Sequence, residues 1–380
     1  MKINKKKKIV YFINTDWFFV SHRIELACRA IVEGYEVHLI CTAKKEINKI
    51  EACGIKVHNV NLSRRSSNLI SDLKSIYKIY KILKKLKPDI LHLVTVKPII
   101  IGGILSKLLK IDNIVVAISG LGYLFIQDNL FTKIIRFLIK NLDLFSLRHH
   151  NKFVIVQNKD DKNIIKELSR YKIKNNSLIL IPGSGVDLKK FRYSKESNKS
   201  IIILFVARLL KDKGINEFIS VAKDFEDNEL NVHFVIVGDI DKGNPSSIKK
   251  KEAEKWKNYK NIKWLGVIKD MSPIYKSSNI VVLPSYREGM PKVLLEAAAS
   301  GRAVITTNVP GCREAIINKK TGLLVKPKDS YDLKRKIKIL INDNIKRKEM
   351  GKNGRLLAED KFDIKNINKE QITLYKKLIN

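Results

Sequence analysis

The strongest constraint on the fold is an alternation of short apolar runs with longer helical patterns, which occurs twice along the chain. In the first half, strand patterns lie at 8–14, 36–41, 55–60, 89–94, 114–118, 153–157 and 178–181. Helical patterns fit between them at about 21–33, 44–53, 68–86, 98–110, 130–149 and 160–171. Strands that alternate with helices predict a parallel sheet covered by helices on both faces.

The second half repeats this scheme after Pro182, Gly183 and Gly185 interrupt it. Strand patterns lie at 201–207, 232–237, 262–265, 279–283, 303–306 and 323–325. Helical patterns lie at about 214–226, 246–258, 272–277, 291–300, 312–317 and 329–342, and residues 345–380 are helical without a further strand. A chain of 380 residues also exceeds what one hydrophobic core usually supports.

We therefore predict an α/β protein with two doubly wound, Rossmann-like domains, 1–183 and 184–361. A C-terminal helix at about 362–380 is expected to pack back on the first domain. Two such domains in series predict a deep interdomain cleft between the carboxyl ends of two facing sheets, where ligands of doubly wound proteins bind.

The net charge indicates several classes of binding partner without choosing among them. Lys and Arg number 74 against 38 Asp and Glu, giving a formal net charge of +36. Such a field attracts phosphates, nucleic acid or an anionic bilayer surface. The lysines fit equally well a general bias toward Lys, Ile and Asn on solvated helix faces.

The cysteines and the apolar runs indicate a cytoplasmic location. The four cysteines (Cys28, Cys41, Cys53 and Cys312) form no CxxC pair and have no histidine cluster nearby, which is typical of reduced thiols rather than a metal site. The first apolar run stops at Asn14 and Asp16, too early for a signal peptide. No run of about 18 uncharged apolar residues occurs, so any membrane contact is expected to be peripheral.

The stretch 279–301 carries the clearest chemistry. A strand ends at Pro284, a loop carries Glu288 and Gly289, and a helix is predicted to open at Pro291. Backbone N–H groups at such a helix start, here those of Met290, Lys292 and Val293, are suited to a phosphate. The carboxylates of Glu288 and Glu296 can reach different parts of one extended ligand, such as a sugar hydroxyl and a ribose diol. Taken alone, the pair also fits a helix-start charge and a surface residue.

A second cluster follows the strand at 201–207. In ARLLKDKGI, Arg208 and Lys213 flank a loop that leads into a helix near Gly214. Two cations at the carboxyl end of a strand can clamp a diphosphate, Arg as a fork and Lys as a point charge.

These motifs resemble the family 4 retaining glycosyltransferases, which have the two-domain GT-B fold. The string EGMPKVLLE is similar to the paired-glutamate motif of that family, and the likeness extends over 283–316. The resemblance implies catalytic roles for Glu288, Arg208 and Lys213. It implies donor binding, in the second domain, by these three and by Gly238, Leu265, Gly289, Met290, Pro291, Lys292 and Glu296, with Glu314 following the last Gly-rich loop.

In the first domain, AISGLGYLF at 117–125, FFVSHRIELA at 18–27 and the loop IPGSGVDLKKF resemble members that extend saccharides on a polyprenyl diphosphate in O-antigen, capsule or glycan assembly. The implied acceptor-binding residues are His22, Arg23, Ser119, Gly120 and Gly122. Two departures stand out: bulky TDWFFVSHR replaces a paired-glycine loop, and Ser119 replaces a histidine. His92 is a further candidate, with capping of a strand as its structural alternative.

The segment 131–147 alternates Lys133, Arg136 and Lys140 with large apolar residues at helical spacing. It fits either a helix in a bilayer interface or a core helix. The high charge and the acceptor class together favour peripheral contact with an anionic membrane surface, at the inner face of the cell membrane. We also expect a monomer.

The resemblance implies retaining transfer of a hexose or N-acetylhexosamine from a nucleotide diphosphate sugar, UDP-linked, to a lipid-linked saccharide. No Asp-x-Asp motif lies in the predicted cleft, so we expect no metal and no cofactor. Two alternatives are a nucleotide-sugar 2-epimerase of the same architecture and a basic nucleic-acid-binding protein. The second is disfavoured because no RNP-like strand or helix-turn-helix spacing occurs, and we predict no nucleic-acid partner.

Overall fold

The computed structural model describes residues 6–62, 69–120, 149–169, 173–196, 200–226 and 231–379. The chain divides into two compact units: unit 1 comprises Met1–Ser184 with Lys365–Asn380, and unit 2 comprises Gly185–Ile364. The division after Ser184 lies one residue beyond the predicted junction at 183.

Unit 1 is built on a seven-stranded sheet, all of whose paired strands run parallel. The strand order is β3-β2-β1-β4-β5-β6-β7. The strands are β1 (Lys8–Thr15), β2 (Glu36–Thr42), β3 (Lys56–Asn59), β4 (Ile90–Val94), β5 (Ile114–Ile118), β6 (Lys152–Val156) and β7 (Leu178–Leu180). Side chains of the central strands are buried on both faces, which explains their continuous apolar sequences.

The helices of unit 1 cover both faces of this sheet. They are α1 (Asp16–His22), α2 (Ile24–Val32), α3 (Ile47–Glu51), α4 (Leu69–Leu86), α5 (Val96–Leu108), α6 (Lys159–Leu168) and the C-terminal α13 (Ile364–Ile379). The helix predicted at 21–33 is wrong in its bounds, because Arg23, at φ −136°, separates α1 from α2. Tyr375 of α13 is fully buried, with its hydroxyl 2.9 Å from that of Tyr11 on β1.

Unit 2 has a six-stranded parallel sheet in the order β10-β9-β8-β11-β12-β13. Its strands are β8 (Ile201–Val206), β9 (Val232–Val237), β10 (Ile262–Trp264), β11 (Ile280–Leu283), β12 (Ala303–Thr307) and β13 (Gly322–Val325). Its helices are α7 (Ile215–Lys223), α8 (Lys250–Glu254), α9 (Ser272–Ser277), α10 (Lys292–Ala299), α11 (Ser330–Asn342) and α12 (Asn344–Leu357).

Two predicted helices of unit 2 are shorter than expected. The segment at 312–317 forms only a 3₁₀ turn, Arg313–Ala315, and the one at 246–258 forms α8 followed by a 3₁₀ turn, Lys255–Asn258. In the loop just before the first of these turns, a Cβ on Gly311 would lie 2.5 Å from the carbonyl oxygens of Glu288 and Gly289. Both sheets therefore have the predicted doubly wound order, which reverses between β1 and β4 and again between β8 and β11.

Candidate active site

The loop between β11 and α10 lies at the point where the strand order of unit 2 reverses. Pro291 is the N-cap of α10, with an extended ψ of 113°, and its carbonyl accepts a bond from the Leu294 N–H at 3.0 Å. The prediction that the helix opens at Pro291 is therefore wrong by one residue. The N–H of Met290 lies outside the helix, whereas those of Lys292 and Val293 belong to its first turn, where the helix dipole favours an anion.

Lys213 and Glu288, which are 75 positions apart in the sequence, form an ion pair in this region. Their Nζ and Oε1 atoms are 2.5 Å apart, and the side chains are 19% and 15% exposed. Two further bonds join their loops, because the N–H of Tyr286 and the hydroxyl of Ser285 both donate to the Asp212 carbonyl. The structure thus brings together the two residues on which the sequence prediction depends most.

Gly214 makes this approach possible. It follows the 3₁₀ turn Lys211–Lys213 with φ +75°, a conformation that favours glycine. A Cβ at this position would lie 2.2 Å from the Pro284 carbonyl oxygen. The close contact places the Lys213 turn directly against the end of β11.

Arg208 follows β8 in the same region but pairs with a different carboxylate. Its guanidinium donates to Asp241 at 2.5 Å, and its side chain remains 40% exposed. Asp241 also accepts from the Asn244 side-chain amide at 3.1 Å. Sequence reasoning missed Asp241; its signal was an acidic residue in the polar loop after VIVGD.

Gly238 is required by the backbone of its own unit. It has φ +139°, and a Cβ would lie 1.8 Å from the Ala207 carbonyl oxygen at the end of β8. Its N–H donates to Gly266 at 2.8 Å, and its carbonyl accepts from the Trp264 indole at 2.8 Å. The N–H of Leu265 donates to Ile236 at 2.9 Å, so the predicted base contact at this stretch would use other backbone atoms.

Glu296 lies inside α10 with only 12% of its side chain exposed, so its interpretation as a surface residue is wrong. Burial raises the pKa of its carboxyl, while Lys292, 3.8 Å away, and the Tyr275 hydroxyl oppose the shift. That hydroxyl donates to Glu296 Oε2 at 3.0 Å. Tyr275 is fully buried and was not identified from the sequence, where an isolated tyrosine carries no signal of its own.

Two more acidic groups adjoin the ion pair. Burial raises the pKa of Asp212, against the opposing fields of Lys213 and Arg208. Glu314 accepts a bond from the Gly311 N–H at 2.8 Å and so fixes the Gly-rich loop. The described residues contain no group of three or more histidine, cysteine or acidic side chains placed to hold a metal ion.

In unit 1, the structure places the predicted acceptor residues in two separate settings. His22 ends α1 and stacks on Phe18 with ring centroids 4.2 Å apart, and the adjacent Arg23 is buried. Ser119 and Gly120 directly follow β5. Gly122 and the predicted basic helix at 131–147 lie outside the described residues.

His92 is a core residue. It lies within β4, fully buried, and its Nδ1 is 2.6 Å from the Tyr375 hydroxyl, so the strand-cap interpretation is wrong. Burial holds its pKa well below the usual histidine range, and the nearby Arg23 charge adds to that shift.

Comparison with known proteins gives two family matches. The family described as glycosyl transferases group 1 matches residues 186–357, and the one described as glycosyl transferase 4-like matches residues 8–149.

Two curated relatives cover most of the chain. The N,N'-diacetylbacillosaminyl-diphospho-undecaprenol alpha-1,3-N-acetylgalactosaminyltransferase of Campylobacter jejuni is 31% identical over 359 residues, covering 90% of this chain and 92% of its own. The UDP-Gal:alpha-D-GlcNAc-diphosphoundecaprenol alpha-1,3-galactosyltransferase of Escherichia coli is 30% identical over 310 residues, 78% of each chain.

Solved structures agree with this assignment at the level of the fold. A glycosyltransferase from Rickettsia africae has a TM-score of 0.76 at 19% identity and covers 99% of each chain. Anabaena HepE in complex with UDP-glucose has a TM-score of 0.77 at 16% identity, over 98% of this chain and 99% of its own. Sequence and fold agree: this protein belongs to the group 1 glycosyltransferase family and is a glycosyltransferase of the GT-B fold.

Proposed function

We propose that this glycosyltransferase moves a hexose or N-acetylhexosamine, with retention, from a UDP-sugar to a polyprenyl-diphosphate-linked saccharide in surface polysaccharide or glycan biosynthesis. The printed names of the Campylobacter and Escherichia relatives describe diphospho-undecaprenol acceptors, and HepE was solved with UDP-glucose. The single observation that carries the proposal is the ion pair between Lys213 and Glu288 at the carboxyl edge of the unit 2 sheet.

The chemistry follows from the charges at that edge. Lys213, Arg208 and the first turn of α10 stabilise negative charge on the leaving diphosphate, usually the largest electrostatic contribution to such catalysis. Glu288 accepts hydrogen bonds from the donor sugar. The bond from the anomeric carbon to the phosphate oxygen breaks, the acceptor oxygen forms the new bond on the same face, and its proton passes to the leaving phosphate.

Glu296 holds the ribose in this proposal. A carboxylate accepts two hydrogen bonds from a diol. Since burial raises its pKa, the ionised form depends on Lys292 and on the bond from Tyr275. Donor affinity is then expected to weaken as pH falls through the raised pKa.

We further infer a monomer that needs no metal or other cofactor and acts at the cytoplasmic surface of the membrane. The support for the membrane location is the lipid-linked acceptor and the net charge of +36, which suits an anionic bilayer. Among the described helices none is both long and apolar enough to cross a bilayer.

Purified protein is tested first against UDP- and GDP-sugars by thermal shift, and then by turnover with short-chain polyprenyl-diphosphate saccharides. The proposal expects stabilisation by a UDP-sugar, acceptor-dependent release of UDP, a retained anomeric configuration and full rate in EDTA. Donor conversion without acceptor favours the 2-epimerase alternative. Binding of RNA or DNA without any response to nucleotide sugars contradicts the proposal.

A further inference from the structure

The carboxyl edge of the unit 1 sheet contains a second group of polar side chains. The sheet order reverses between β1 and β4, and in doubly wound sheets the crevice at such a reversal is where ligands bind. Asn14 lies near the end of β1, Thr95 directly follows β4, and Ser119 directly follows β5. The register pairs Phe12 with Leu93 and Val94 with Ala117, so these three positions follow on neighbouring strands.

Each of the three side chains has a buried oxygen atom that lacks a hydrogen-bond partner among the described residues. The atoms are Asn14 Oδ1, Thr95 Oγ1 and Ser119 Oγ. Buried polar atoms in native proteins are nearly always satisfied, so each exception needs an explanation. Three such atoms at the ends of three neighbouring strands of the sheet, β1, β4 and β5, point to a common external partner.

Thr95 is unusual in two further respects. Its φ of 72° and ψ of 158° lie in a backbone region that is essentially restricted to glycine, and threonine is β-branched. Thr95 is also the N-cap of α5, where a threonine hydroxyl ordinarily accepts from the first turn. Within the described chain its hydroxyl makes no such bond. The strained backbone therefore holds the Thr95 hydroxyl at the start of α5, but this hydroxyl does not cap the helix.

The chemistry of the three groups indicates the class of ligand. All three are neutral oxygens, whereas a phosphate is usually met by cations. The nearest carboxylate along β1, Asp16, is occupied by the N–H groups of Lys44, Lys45 and Glu46, which lower the pKa of this acid despite its burial. Neutral hydroxyl and amide oxygens match sugar hydroxyls, which both donate and accept.

We propose that Asn14, Thr95 and Ser119 form a subsite that binds hydroxyl groups of the acceptor saccharide. This inference rests on the proposed function, because it names the part of unit 1 that holds the sugar acceptor. It adds Asn14 and Thr95 to the expected residues and gives Ser119 a binding role through its hydroxyl.

The Thr95→Val variant separates a binding role from a structural one. It keeps the β-branched shape and replaces the unsatisfied hydroxyl by a methyl group, so the unfolding temperature should stay equal or rise. The acceptor KM should increase about tenfold while the KM for the UDP-sugar is unchanged.

Thr42→Val is the matched control at the end of β2. The Thr42 hydroxyl donates to the Leu62 carbonyl and accepts from the Leu62 N–H, both at 3.0 Å. This variant should lower the unfolding temperature and leave the acceptor KM unchanged. A second variant, Ser119→Ala, should behave like Thr95→Val.

Direct binding is measured by saturation-transfer NMR with methyl glycosides of N-acetylglucosamine and N-acetylgalactosamine, which needs no turnover. Wild type and Thr42→Val should give a signal that Thr95→Val loses by a factor of about three or more. Equal signals in wild type and Thr95→Val, or no signal from wild type, overturn the proposed subsite. If wild type binds the glycosides normally but does not transfer sugar from any UDP-sugar to the acceptor, the proposed function is contradicted and the subsite is not.

Discussion

At the carboxyl edge of the unit 2 sheet, Lys213 and Arg208 each lie 2.5 Å from a carboxylate. At the same edge of the unit 1 sheet, Asn14, Thr95 and Ser119 carry oxygens that meet no partner in the described part of the chain. Both groups lie where the strand order reverses, so the same topology positions two different kinds of chemistry.

The difference indicates what each edge requires of a ligand. In unit 2 each cation is already paired with a carboxylate before a donor arrives, Lys213 with Glu288 and Arg208 with Asp241, so a diphosphate has to bind to charges that are already paired. Unit 1 holds neutral oxygens that are already buried, so a hydrogen bond from a sugar hydroxyl requires no further desolvation of these protein atoms. We expect electrostatic attraction to the cations to govern ligand binding at the unit 2 edge, and new hydrogen bonds to the buried oxygens to govern it at the unit 1 edge.

The largest effect is expected from removing the central ion pair. Lys213→Ala should lower kcat/KM about 10²- to 10³-fold, because it removes a positive charge that stabilises the leaving diphosphate. Glu288→Gln should have a comparable effect through the donor sugar. Lys211→Ala, an exposed neighbour in the same 3₁₀ turn, is the control and should stay near wild type. Near-normal transfer by both site variants, with folding intact by thermal unfolding, would place the site elsewhere.

A variant of Asp241 distinguishes two roles for this residue: it either orients the Arg208 guanidinium for the diphosphate or competes with the diphosphate for it. If Asp241 orients the guanidinium, Asp241→Asn should raise the KM for the UDP-sugar about tenfold. The exposed Asp239→Asn variant in the same loop makes the same charge change and should have little effect. A lower KM for Asp241→Asn would instead identify Asp241 as a competitor of the diphosphate.

A smaller effect is expected from Tyr275→Phe. Loss of the bond to Glu296 should raise the pKa of this carboxyl further, because burial is then less opposed. The KM for the UDP-sugar should rise about threefold near neutral pH, and its increase at low pH should begin at a higher pH. Tyr259→Phe, whose ring lies under Lys223, is the control. An unchanged pH profile would separate Glu296 from donor binding.

The two units should also differ in acid stability. In unit 1, burial lowers the pKa values of His38, His58, His92 and His149. The folded state then binds fewer protons than the unfolded state, so the free energy of unfolding falls as pH drops below about 6.5. Unit 2 has one histidine, the exposed His233, and the raised pKa of Glu296 acts with the opposite sign.

Scanning calorimetry between pH 7.5 and 5 checks this difference. The unfolding temperature of unit 1 should fall by a few degrees more than that of unit 2, at about 2–4 °C per kcal/mol. His58→Gln should reduce the fall, because it removes one of these histidines and also its charge, which helps to lower the pKa of His38; His38 Nδ1 lies 2.9 Å from His58 Nε2. His150→Gln, at an exposed position, should not change the fall. Equal shifts in both units would contradict the assignment.

Sequence patterns predicted the strands well because buried parallel strands require continuous apolar runs. The run at 201–207 and the strand Ile201–Val206 differ by one residue. Helix ends were less predictable: Pro291 precedes α10, and Arg23 divides a helix that hydrophobic periodicity alone makes continuous. Helix boundaries depend on caps and neighbouring loops, which periodicity does not record.

The sequence by itself determined the two doubly wound sheets, the family, and the residue types at the candidate donor site, because each of these is carried by local periodicity or by a contiguous motif. Only the tertiary structure decided that Lys213 meets Glu288, that Arg208 meets Asp241, and that Glu296 is buried against Tyr275. It also revealed the strained Thr95. These pairings join residues that lie 21 to 75 positions apart. Strand order and crossovers set such contacts, and no local pattern encodes them.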